Sequence, residues 1–115
     1  MLFDIKGNKI TSIPHEREFK YWRSLLTEEQ YLEIMIEMEK LLDKENILVS
    51  SWVPGKVWSK PYSYIYEATE DIQTAGFFFG ILFWTATQCH TDSFMFQDMN
   101  QDHGILGKRY FKVTL

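Results

Sequence analysis

The sequence predicts a small α+β domain, and three features carry the prediction. A capping box at 27–30 opens a long amphipathic stripe, a charge-free apolar run occupies 72–91, and β-favouring runs recur near 47–53, 93–99 and 108–113. With 115 residues, of which 45% are hydrophobic and 24% charged, the composition is that of an ordinary globular chain. One domain spanning 1–115 is expected, long enough to bury roughly two-thirds of the surface its unfolded chain exposes.

The chain opens on a predicted hairpin, with Leu2, Phe3 and Ile5 before Gly7-Asn8 and Ile10 and Ile13 after. Glycine and asparagine accept the positive φ of a two-residue turn. Ser12-Ile13-Pro14 then reads as the entry to a short helix, with Glu16 and Glu18 near its positive end. Phe19, Trp22 and Leu26 give that helix one packing face. Thr27-Glu28-Glu29-Gln30 supplies the capping box for a helix over about 28–44. Its buried face is Tyr31, Ile34, Met35, Met38, Leu41 and Leu42, and Asn46 is a suitable stop. A strand follows near 47–53 and ends at Pro54-Gly55, and Lys60-Pro61 makes a second break.

The 72–91 run reads in two ways. As a helix over about 70–90 it is capped by Thr69, with Glu70 and Asp71 in its first turn. As a strand, 77–84 is a continuous β-prone run of the kind buried on both faces. Its length favours the buried central helix, since strands usually run five or six residues. Gly76 and Gly80 cost such a helix about 1 kcal/mol each, which is explained if another element packs close to them. The C-terminal strands 93–99 and 108–113 form a hairpin, so the expected sheet is small and antiparallel.

Composition excludes several function classes. A net charge of −4 argues against nucleic-acid binding, and the Lys108–Lys112 mixture of basic and aromatic residues splits its rings between two strand faces. A single cysteine, Cys89, excludes a disulfide framework and is expected to be a buried structural thiol. No membrane span is expected, because Gln73, Thr74, Thr85, Thr87, Gln88 and His90 interrupt 72–91. Residues 1–6 lack a basic head and an apolar run, so a cytoplasmic location is expected.

No Walker loop, nucleophile elbow or paired-cysteine motif occurs, and no cofactor is expected. Histidine and carboxylate can hold a divalent cation, so a small metal-dependent enzyme using His90, Asp92 and His103, with Asp98 and Asp102 nearby, is the alternative. Their spacing matches no ligand motif. The unusual feature is aromatic content, at 17%. Trp52, Trp58, Tyr62, Tyr64 and Tyr66 cluster around two prolines, where irregular backbone keeps some rings at the surface. Trp52, Lys56, Trp58, Tyr62 and Tyr64 are therefore the candidate interaction surface of a non-enzymatic protein-binding or regulatory module, with a second copy of the chain as one candidate partner.

Overall fold

A computed structural model describes residues 1–49, 58–98 and 108–114. Among these the order is β1 (Leu2–Phe3), α1 (Glu16–Ser24), α2 (Glu28–Lys44), β2 (Ile47–Val49), α3 (Ser63–Thr69), α4 (Ile72–Cys89), β3 (Ser93–Asp98) and β4 (Lys108–Val113). The class is α+β. The three other helices and one face of the sheet surround α4.

Helix α4 takes the helical alternative because a helix satisfies its own backbone while most of its apolar side chains are covered by other elements. Ala75, Phe78, Phe79 and the whole of 81–87 are buried. Its two buried threonines donate their hydroxyls back into the helix, Thr85 to the Leu82 carbonyl and Thr87 to that of Trp84, both at 2.7 Å. Phe78 meets Phe19 and Trp22 of α1, Phe79 meets Tyr62, and Phe83 meets Tyr110 of β4. No helix among the described residues is long and apolar enough to cross a membrane.

The capping box of α2 is formed as expected, with Gln30 N–H donating to Thr27 Oγ1 at 3.1 Å and Thr27 N–H donating to Gln30 Oε1 at 3.0 Å. Ile34, Met38 and Leu42 are fully buried. The stop is Glu45, in extended backbone, so no left-handed Asn46 is needed before β2. Helix α1 begins at Glu16, two residues after Pro14, with His15 left-handed at its N-cap. The preceding backbone is held elsewhere: Trp84 and Gln88 side chains both donate to the Ser12 carbonyl. Arg23 secures the α1–α2 corner by pairing with Glu28 at 2.7 Å and lying over the Tyr31 ring.

Further features differ from the sequence reading. Helix α3 was not expected, because seven residues are too few to show a helical period. It ends at left-handed Glu70, and the cap of α4 is Asp71. Asp71 accepts from Thr74 N–H and hydroxyl, which hold its carboxyl below the ordinary range, while the Thr69 hydroxyl donates to Ile65. The sheet is mixed, in the order β1-β3-β4-β2, with β1 parallel to β3. The N-terminal hairpin shrinks to a single Phe3–Lys9 bridge because the returning strand leaves to cover α4. The 93–99/108–113 hairpin is present as β3 and β4, with Phe94 opposite Lys112 and Phe96 opposite Tyr110. Residues 50–53 of the strand near 47–53, and the Pro54-Gly55 turn, lie outside the described residues.

A last difference concerns Gly76 and Gly80. A Cβ at either position would meet nothing within 4 Å, so no described element needs them small. They lie with Gln73 and Phe77 along the side of α4 that the other elements leave open. Gly76→Ala and Gly80→Ala should each stabilise the fold by up to about 1 kcal/mol, since only the helix-propensity term changes. Urea unfolding measures this; a loss of stability in either variant would show that something packs on that stripe.

Candidate functional site

The predicted interaction segment divides between core and surface. Trp58 is half-buried with its ring edge-on to Phe79 at 6.1 Å, and Tyr62 is buried, edge-on to the same ring at 5.4 Å. Phe79 thus draws two of the proposed surface rings inward, and Tyr62 is a core residue. Burial, with the Glu37 carboxylate adding to it, pushes the Tyr62 phenol up to about 12. Tyr64 is half-buried, with the Lys60 ammonium 5.7 Å from its ring centre. Hydrogen bonding to Tyr64, then the charges of Tyr64 and Glu33, raises the Lys60 pKa. Tyr66 is exposed. Trp52 and Lys56 lie outside the described residues.

A cleft of about 330 Å³ lies between α2 and the Lys60–Pro61 turn, whose peptide bond is cis. Glu33, Ile36, Glu37 and Lys40 supply one wall, Lys60 and Pro61 the other. Ile36 is 51% exposed and Leu32, one turn earlier, is 54% exposed. The sequence reading missed this pair because it followed the stronger stripe on the opposite side of α2. Two apolar residues four apart on an otherwise charged face were the available signal.

The His90 cluster is assembled differently from the expected one. His90 and Asp92 do come together, with Nδ1 and Oδ2 3.7 Å apart, and His103 lies outside the described residues, as does Asp102. The principal partner is Asp43, at the end of α2, whose Oδ1 is 2.6 Å from His90 Nε2. The Asp92 backbone N–H donates to Nδ1 at 2.9 Å, which assigns the ring proton to Nε2, facing Asp43. Lys112 of β4 donates to the Asp43 carbonyl at 2.9 Å and stands 3.6 Å from Asp92 Oδ2. The Met1 ammonium donates to the carbonyls of Thr87, His90 and Asp92 at 2.9, 2.6 and 2.8 Å, near the negative end of α4.

Asp43, His90 and Asp92 bring potential ligand atoms within 4.8 Å of one another. Both imidazole nitrogens are nevertheless engaged within the chain, and Lys112 already places a cation beside the Asp92 carboxylate. The geometry is that of a clasp joining the ends of α2 and α4 to the starts of β1 and β3 and to β4. Cys89 precedes it on the exposed side of the last turn of α4, correcting the expected buried thiol. Asp98 is remote from the clasp in function, pairing with Lys108 across the hairpin.

The chain matches no protein-family model, and no curated protein or solved structure proves similar to it.

Removing Asp43 leaves a buried Nε2–H unpaired, so Asp43→Ala should cost about 1–3 kcal/mol. Calorimetry with and without zinc measures it, and zinc should leave the melting temperature of the unaltered protein unchanged. A zinc-dependent rise that His90→Ala abolishes would make the clasp a metal centre.

A second expectation concerns alkaline pH. The Tyr62 phenol ionises at about 10 in the unfolded chain and about 12 in the fold, and burial also raises Tyr110. Above pH 10 the unfolded state therefore holds fewer protons than the folded one, and stability falls as pH rises toward 12. Urea midpoints across that window should fall less steeply for Tyr62→Phe. Equal slopes would remove Tyr62 from the cause.

Proposed function

We propose that this protein is a small, non-enzymatic binding or regulatory module. It engages a partner protein, or a second copy of itself, along the cleft between α2 and the Lys60–Pro61 turn. One observation carries the reading: Leu32 and Ile36 stand more than half exposed on α2, with Pro61 across the cleft from Ile36. Glu33, Glu37, Lys40 and Lys60 surround that apolar centre with both signs of charge. An apolar centre within a polar rim is the usual anatomy of a protein interface. Half-buried Tyr64, with the Lys60 ammonium 5.7 Å from its ring centre, adds a ring suited to such contacts beside the cleft. This moves the interaction surface from Trp58 and Tyr62, which serve the core, to the outward side of the same segment. An exposed, unpaired Cys89 thiol is most easily kept reduced in cytoplasm, which supports that location.

Replacing Ile36 with a photoreactive phenylalanine analogue tests the proposal in the native cell. Irradiation should yield a discrete adduct from position 36 and none from position 39, on another side of the same helix. Light scattering over a concentration series identifies a second copy as the partner, and Ile36→Asp should then return the mass to monomer without lowering the melting temperature. A monomer at every concentration, with no adduct specific to position 36, would overturn the reading.

A further inference from the structure

A second cleft, of about 200 Å³, lies between α1 and α4. That is the space of about six waters, enough for a small organic group. Two rows of side chains, each four residues apart, make its walls: Glu18 and Trp22 from α1, Phe77 and Ile81 from α4. His15 closes one end. Residues at this spacing on a helix stand one above the other, so each wall offers a continuous surface.

Each wall component has a distinct chemical character. Trp22 is half-buried and packs in a tilted contact with Phe78, whose ring centre is 5.9 Å away. Phe77 is 65% exposed, although Phe78, Phe79 and Phe83 on the same helix are all buried. No aromatic neighbour within the described residues accounts for it. Ile81, 6% exposed, is the apolar base. Among the described residues Glu18 is the only carboxylate of the lining, and it has no ion-pair partner, whereas Glu16 has Lys20 and Glu28 has Arg23. No described lysine or arginine lines the cleft.

Two aromatic rings, an unpaired carboxylate and an apolar base form a setting for an organic cation. The negative faces of Trp and Phe attract positive charge, and a methylated ammonium gives up its loosely held water more readily than a primary ammonium does. We propose that the α1–α4 cleft binds a quaternary or methylated ammonium group, with Trp22 and Phe77 against its methyl groups and Glu18 facing its charge. The site is separate from the α2 cleft and does not depend on the function proposed for it.

The test is an NMR titration with choline and, in parallel, with 3,3-dimethylbutanol, its uncharged isostere. Choline should shift the Trp22 indole and Phe77 ring signals saturably, and the isostere should bind about tenfold more weakly. Phe77→Ala should abolish saturation, and because Phe77 is exposed that variant keeps its fold even if Trp22→Ala does not. Glu18→Gln should weaken choline and leave the isostere unchanged. A short peptide bearing trimethyl-lysine separates the sources: tighter binding than choline points to a modified polypeptide, and equal binding to the free headgroup. Equal affinity for choline and its isostere, no saturation with choline, or binding that survives Phe77→Ala would overturn the proposal.

Discussion

Helix α4 is apolar around most of its circumference, and it remains in an aqueous protein only if other elements cover it. Ten of its eighteen residues are buried. Leaving the large ones in water would cost roughly 1.5–3 kcal/mol apiece, so covering this helix is the strongest organising force in the chain. The neighbours divide the task by ring. Phe78 takes α1, Phe79 takes the 58–62 segment, Phe83 takes β4 and Trp84 takes Phe96 of β3. Edge-on and tilted contacts recur because the positive edge of one ring favours the negative face of the next.

This demand explains the connections around α4 as well as its packing. The 10–12 backbone follows the helix, its carbonyls taken by Gln88 and Trp84 side chains, and so cannot extend a hairpin with β1. β1 then finds its partner in β3, giving one parallel pair in an otherwise antiparallel sheet. At the far end of α4 the His90 clasp gathers Asp43, Asp92, Lys112 and the Met1 ammonium. Residues that chemistry alone would nominate for metal binding are used here to fasten five elements together. A buried imidazole needs partners for both nitrogens, and this arrangement provides them.

The surface features that bear on binding are what that packing leaves over. Ile36 and Leu32 point away from the seam that Ile34, Met38 and Leu42 make with the core, and Phe77 points away from the cover over its neighbours. Ile36 borders a cleft between α2 and the Lys60–Pro61 turn, and Phe77 borders one between α1 and α4. The two clefts differ in chemistry: one has a charged rim of both signs, the other an aromatic pair with a single carboxylate. They therefore suit different occupants.

Local signals determined much of this protein without any knowledge of its packing. Thr27 and Gln30 marked the start of α2, the Tyr31–Leu42 stripe marked its buried face, and β-favouring runs marked β3 and β4. These depend on neighbours three or four residues away, or two along a strand, so the sequence displays them directly. Only the tertiary structure decided the rest. Whether 77–84 was helix or strand, whether Tyr62 turned inward, and whether Cys89 was covered all depended on which surfaces met across the fold. His90 and Asp43 are 47 positions apart, and no local pattern links them. Their contact arises because α2 and α4 both finish at the end of the sheet where β3 begins and β4 finishes, a coincidence in space that a one-dimensional pattern does not contain.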